Sequence, residues 1–254
     1  MDRHGKLDGK VAIVTGAGQG VGRGIALALA GEGGQVAVTG RTQSKCDAVV
    51  DEIIERGGRA ISLHCDVESR DDVDATVAAT IEAFGRIDIL VNNAQTLVYQ
   101  SVRRFSEHDM LSMYQSGPMG CLRFMQACFD ELRENRGCVV NLGSGSSIQP
   151  HPAMSGYAMA KEAIRVLSRV TAMEWGKFGI RVNSICPLAE TPGWDFFTSE
   201  TPGSEEVVLG GIPLGRMGDP EHDIGRAVVY LASADAGYVT GTTLMVDGGF
   251  NYLR

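Results

Sequence analysis

The sequence predicts an α/β protein with a doubly wound, seven-stranded parallel sheet flanked by helices. Three observations predict it. Short apolar runs alternate with longer amphipathic ones along the whole chain. The apolar runs carry few polar positions, as expected for strands covered on both faces. The first run leads directly into a glycine-rich turn that opens a helix, "TGAGQGVG" at Thr15 to Gly22.

In chain order, the strands are expected at Val11–Thr15, Val36–Thr39, Ala60–Cys65, Ile87–Asn92, Cys138–Leu142, Arg181–Cys186 and Thr243–Asp247. Helices are expected at 20–32, 44–56, 69–84, 107–132, 157–178 and 220–232. The fourth helix is broken by Gly117 and Pro118. A proline in a helix interior costs ~3 kcal/mol, because it donates no backbone hydrogen bond and clashes with the preceding turn. The one long irregular region spans 187–218 and holds Trp194, Phe196 and Phe197. A loop of that length in a compact domain reads as a substrate lid.

Composition narrows the function. The chain has 254 residues, 44% hydrophobic and 21% charged, as in one ordinary globular domain over 1–254. A formal net charge of -8 argues against non-specific nucleic-acid binding. No run of about 18 apolar residues is present, and the start is polar, so a cytoplasmic protein without a membrane span is expected. The six cysteines show no CxxC spacing and read as reduced thiols, and the histidines form no metal motif. No metal is expected.

Chemistry is sought after the carboxyl ends of the strands, where ligands of such sheets bind. Glycines in the first turn let the backbone approach a pyrophosphate, and the helix N-terminus stabilises the anion. After the second strand, "TGRT" presents Arg41 where an acid would accept from a ribose hydroxyl. An arginine there can grip a 2′-phosphate instead. Asp66, after the third strand, is placed to accept from an adenine amino group or to cap a helix. Tyr157 and Lys161, in "YAMAK", share a helix face. A nearby ammonium would lower a phenol's pKa toward the working range. Ser144, in "VNLGSGSS", could hold a substrate oxygen or serve ordinary turn chemistry.

Taken in order, these motifs resemble the short-chain dehydrogenase/reductase superfamily over nearly the whole chain. The family's TGxxxGxG is met by Thr15, Gly16, Gly20 and Gly22, its NNAG partly by Asn92, Asn93 and Ala94, and its YxxxK by Tyr157 and Lys161. Ser144 stands thirteen residues before the tyrosine, and "RVNSICP" and "VDGG" match later motifs. The resemblance implies a Rossmann-type fold, an NADP(H) cofactor and a homotetramer. It also implies a hydride exchanged at a carbonyl or carbinol carbon, with Tyr157 handling the proton. Lys161 would hold the nicotinamide ribose and Ser144 the substrate oxygen. The implied cofactor-binding set is Gly16, Gln19, Gly20, Val21, Gly22, Arg41, Asp66, Val67, Asn93, Ala94, Tyr157, Lys161, Pro187 and Thr191. The activity implied is an NADP-dependent carbonyl reductase or alcohol dehydrogenase acting on a mainly apolar small molecule. The alternatives are an NADP-binding scaffold or regulator with little catalysis, or an epimerase or dehydratase. Retention of Ser144, Tyr157 and Lys161 favours the oxidoreductase, and the short chain argues against the last.

Three positions depart from the family. Gln95 replaces the glycine of NNAG, and Leu188 replaces the glycine of a proline-glycine pair. Gly117 stands where relatives carry a catalytic asparagine at a helix kink that supports a water beside the lysine. Pro118 cannot donate to the carbonyl of Tyr114. A kink at 114–118 is therefore expected, with that freed carbonyl holding the water. Gln95, Gln115 and Ser116 are further polar candidates for the missing amide.

Overall fold

A computed structural model describes residues 5–200 and 203–252. Seven parallel strands form one sheet: β1 (Val11–Thr15), β2 (Gln35–Gly40), β3 (Arg59–His64), β4 (Ile89–Asn92), β5 (Cys138–Leu142), β6 (Arg181–Pro187) and β7 (Thr243–Val246). Their order is β3-β2-β1-β4-β5-β6-β7. The chain therefore starts at mid-sheet, winds outward to β3, crosses back past β1, and winds outward to β7. That reversal opens a crevice at the carboxyl ends of β1 and β4, where Val14 pairs with Val91.

The helices follow from the same alternation. Against one face pack α1 (Gly20–Gly31), α2 (Gln43–Glu55) and α10 (Arg226–Ala232), through Ile25, Leu29, Val49, Ile53, Val228 and Leu231. Against the other lie α3 (Arg70–Phe84), α5 (Gly120–Ala127), α6 (Phe129–Glu134) and α7 (Ser155–Trp175), through Val73, Val77, Phe124, Leu132 and Ala172. Ser69 caps α3 by accepting the N–H of Asp72, and Gly85, at φ +81°, ends it in the left-handed conformation. All six cysteines are buried free thiols.

Two expectations are corrected. The region 187–218 contains two helices, α8 (Pro192–Glu200) and α9 (Ser204–Gly211), not an irregular loop. The broken helix is divided more finely: α4 (Glu107–Tyr114), a π-helical turn over Gln115–Met119, then α5 and α6, with Cys128 between the last two. A π turn links residues five apart. In that register the partner of the Tyr114 carbonyl is Met119, and the missing N–H of Pro118 is passed over. The wide turn thus gives the Tyr114 carbonyl a backbone partner and accommodates the proline.

Candidate active site

The glycine turn is built so tightly that side chains are excluded. Gly16 and Gly20 have φ of +63° and +56°. A Cβ on Gly22 would stand 2.4 Å from the Gly16 carbonyl oxygen, and one on Gly16 would stand 2.9 Å from the Ala94 Cα. Asn93 locks the turn from β4, donating to the carbonyls of Thr15 (2.9 Å) and Gly16 (3.1 Å). The Thr15 hydroxyl accepts the N–H groups of Asn93 and Ala94, each at 3.0 Å. Gln19 caps α1 with extended backbone and no side-chain bond to the helix, which leaves the first N–H groups of α1 for an anion.

A cleft of about 370 Å³ runs from this turn across the sheet. Gly16, Gln19, Gly20, Val21 and Gly22 form its floor. Arg41, Asp66 and Val67 line one end, and Asn93, Ala94 and Thr191 line the side toward β4 and the lid. Arg41 is exposed at the rim, and Lys45 beside it donates to the Gln19 side-chain oxygen at 2.5 Å. Lys45 was not foreseen in the sequence. Its signal was a second cation four residues beyond Arg41, on the first turn of α2. Asp66 accepts the N–H of Glu68 at 3.0 Å, so it shapes the turn after β3, while Ser69 takes the helix-cap role. A Cβ on Gly20 would meet the Thr191 methyl at 3.5 Å, so the lid begins in contact with the glycine turn. The glycine cradle and the open helix end fit the diphosphate of a dinucleotide, and two cations stand at the rim of the cleft.

Ser144, Tyr157 and Lys161 assemble outside that lining, on β5 and α7. Lys161 is 4% exposed and donates to the Leu142 carbonyl at 2.6 Å. Its ammonium lies 5.5 Å from the centre of the Tyr157 ring. Burial pulls Lys161 down to about 8. Burial pushes Tyr157 up to about 12, opposed by its hydrogen bond with Ser144. The expected lowering of the tyrosine by the lysine is thus corrected: desolvation dominates, and the hydrogen bond that opposes it comes from Ser144, not from the lysine, whose ammonium is held on a backbone carbonyl. The Ser144 oxygen accepts the N–H of Ser146 at 3.2 Å, so turn chemistry and contact with Tyr157 coexist.

Further residues frame this end. Met154 precedes α7, its sulfur 3.8 Å from the Ser146 hydroxyl, and Tyr99, 41% exposed, has its pKa raised by burial and then by the neighbouring Tyr157. Trp194 opens the lid helix, its N–H donating to the Thr191 hydroxyl at 3.1 Å. The side chains of Phe196 and Phe197 lie outside the described residues. Pro187 ends β6 paired with Val246. Leu188 lines a separate cavity of about 530 Å³ with Leu214 and Met245, so it does not face the glycine turn. A buried chain was also missed: Asn92 donates to Asn141, and Asn141 to Ser168, both at 2.8 Å. It links β4, β5 and α7 beneath the reactive groups. Among the described residues, no three His, Cys, Asp or Glu side chains are grouped to hold a metal.

Known proteins share this arrangement. A family model described as enoyl-(acyl carrier protein) reductase matches residues 16–251. The 12alpha-hydroxysteroid dehydrogenase of a Clostridium species is 43% identical over 255 residues, covering 96% of this chain and 98% of that protein. The 2,5-dichloro-2,5-cyclohexadiene-1,4-diol dehydrogenase of Sphingobium indicum is 36% identical, covering 96% and 98%. A solved 7 alpha-hydroxysteroid dehydrogenase, complexed with NADH and 7-oxo glycochenodeoxycholic acid, superposes with a TM-score of 0.91 at 34% identity, covering 98% of this chain and 97% of that one. With the glycine turn, the seven-stranded order and the serine, tyrosine and lysine in one fold, the chain belongs to the short-chain dehydrogenase/reductase superfamily, whose members are oxidoreductases that use a nicotinamide cofactor.

Proposed function

We propose that the protein is an NADP(H)-dependent oxidoreductase that interconverts a secondary alcohol and a ketone on a mainly apolar small molecule of hydroxysteroid type. The observation that carries this reading is the gathering of Ser144, Tyr157 and Lys161 where β5 meets α7, beside a cleft rimmed by Arg41 and Lys45. When bound, the cofactor supplies or accepts the hydride. The backbone of the glycine turn and α1 would hold its diphosphate, Arg41 and Lys45 its 2′-phosphate, and Asp66 and Val67 its adenine. Pro187 and Thr191 border its nicotinamide end.

Ser144 donates a hydrogen bond to the substrate oxygen, and Tyr157 exchanges a proton with it. A phenol held neutral by burial can donate its proton to a carbonyl oxygen, and the same phenol oxygen takes the proton back when the alcohol is oxidised. Lys161, anchored on the Leu142 carbonyl, holds the nicotinamide ribose and places positive charge below the tyrosine ring. The steroid class draws on the two hydroxysteroid dehydrogenases and on the apolar Met154 and Tyr99 beside Tyr157. We further propose a cytoplasmic homo-oligomer, a tetramer by family expectation. The exposed apolar stripe of Met159, Val166, Val170 and Met173 on α7, with Leu111 on α4, supports a second copy as its cover. No helix among the described residues is long and apolar enough to cross a membrane.

Cofactor choice is the direct test. Fluorescence titration with NADPH and NADH should show tighter NADPH binding. Arg41→Ala combined with Lys45→Ala should weaken NADPH by roughly 1–3 kcal/mol, the scale of lost charge-assisted contacts, and leave NADH nearly unchanged. Equal loss of both cofactors, or of neither, would remove these cations from the phosphate-reading role. Turnover is then assayed on hydroxysteroids and their ketones.

A further inference from the structure

Gln95 contributes two of the few buried polar side-chain atoms that lack a partner among the described residues. Its Oε1 and its Nε2 are both buried and make no hydrogen bond. A buried amide with neither end satisfied is costly, and native proteins keep such groups for a reason. Gln95 lines the cleft, next to Ala94 and Ser116. Its amide rests on Gly117: a Cβ there would stand 2.9 Å from the Gln95 Cδ and 3.0 Å from both Nε2 and Oε1. The space that a side chain at 117 would need is filled by the Gln95 carboxamide.

Neighbouring polar groups are already used. The Ser116 hydroxyl donates to the Ser112 carbonyl at 2.8 Å and accepts the N–H of Thr96 at 3.0 Å. The side-chain oxygen of Gln115 accepts from Arg123. The Ser116–Thr96 bond also ties the segment carrying Gln95 to the π turn, which restrains where the amide can reach. The π turn packs on α7, the helix of Tyr157 and Lys161.

We propose that Gln95 and Gly117 are a matched pair: the glycine makes room for the Gln95 carboxamide, whose free donor and acceptor position a hydroxyl group in the cleft. This rests on the reading of the cleft given above. A primary amide can donate to a hydroxyl oxygen while its carbonyl accepts the hydroxyl hydrogen, so one partner satisfies both orphaned atoms. Three sources share that chemistry: a ribose hydroxyl of the cofactor, a hydroxyl of the substrate, or a water beside the reacting groups. Gln95 is then a positioning residue.

Gln95→Leu separates positioning from packing, because it keeps the volume and removes the polar atoms. The melting temperature should hold or rise, since an unpaired buried amide is lost. Function should fall roughly tenfold, the scale of one lost hydrogen bond in a closed site. A weaker cofactor Kd identifies the ribose, and a raised substrate KM identifies the substrate. A lower kcat with a shifted pH profile, at unchanged Kd and KM, identifies the water. All four quantities unchanged would overturn the proposal, as would a fall in melting temperature that accounts for the lost activity. A second arm tests the pairing. Gly117→Asn should lose stability by colliding with Gln95, and Gln95→Gly in the same chain should restore most of it. Equal effects of Gly117→Asn with and without Gln95 would overturn the match. If the wild-type protein turns over no alcohol or ketone, the functional reading fails. The melting temperatures of this mutant cycle still decide the pairing.

Discussion

At the amino ends of β1 and β4, the buried carboxylate of Asp88 is saturated. It accepts from Lys10 (2.9 Å), from the N–H of Val11 (3.0 Å) and from Arg86 (2.8 and 2.6 Å). At the carboxyl ends of the same strands, the buried amide of Gln95 has no hydrogen-bond partner among the described residues, and Lys161 is held below its ordinary pKa by burial. The strands are identical in register across both edges, so the sheet does not cause the difference. One edge spends its polar groups on holding the chain together. The other keeps them available, which costs stability and leaves hydrogen-bonding capacity for something that binds. The glycine turn lies at the second edge, and so do the left-handed φ values of Gly16 and Gly20.

The comparison can be broken first at the amino edge. Asp88→Ala leaves the Val11 N–H and two cations without their acceptor. Because Lys10 and Arg86 are 43% and 40% exposed and can turn to water, the loss should sit at the low end for a broken buried pair, about 3 kcal/mol. Urea unfolding would measure it. The folded fraction should keep its kcat, and a variant equally stable but inactive would reverse the assignment of the two edges.

At the carboxyl edge, the expected pattern is the opposite one. Tyr157→Phe keeps the ring and removes the proton donor, so turnover should fall ~10²-fold or more, about 2.7 kcal/mol in the barrier. Cofactor affinity and the urea midpoint should survive. An active phenylalanine variant would show that another group moves the proton.

The smallest effect concerns Lys161. Its folded pKa of about 8 lies below the ordinary 10.5. Between those values the unfolded chain binds a proton that the folded chain has released, so stability from this residue rises with pH, by at most about 1.4 kcal/mol per pH unit. Below about 8 both states are protonated, and the contribution is flat. Tyr157 acts in the opposite direction, from pH 10 to about 12, where the unfolded phenol ionises and the buried one does not. Comparing wild type with Lys161→Met by urea unfolding from pH 7 to 10 isolates the lysine. A stability difference that stays constant over that range would mean that Lys161 keeps its charge throughout.

All seven strands were legible in the sequence: the central ones because a strand covered on both faces is apolar throughout, as in Val11–Thr15, and the half-buried β3 and β7 at the sheet edges because their short runs still alternate with helical ones. The glycine turn was legible for a similar reason, since few other patterns put so many glycines between a strand and a helix. The motif residues were therefore found along the chain before any geometry was known. Their pKa values were not. A lysine four residues from a tyrosine implies a lowered phenol pKa, whereas burial against β5, which involves residues about twenty positions apart, pushes the phenol up. Periodicity likewise flags a break at Gly117 and Pro118 but does not distinguish a freed carbonyl from a π turn.

By itself, then, the sequence determined the strand order along the chain, the glycine turn, and the types of reactive group at the ends of the strands. These are local matters of pattern, spacing and conformational freedom. Only the tertiary structure decided that Lys45 reaches Gln19 of the glycine turn, that Asn93 fastens that turn, and that Gln95 occupies the space Gly117 leaves. Each depends on a contact between segments distant in sequence, where close packing admits one side chain and excludes another.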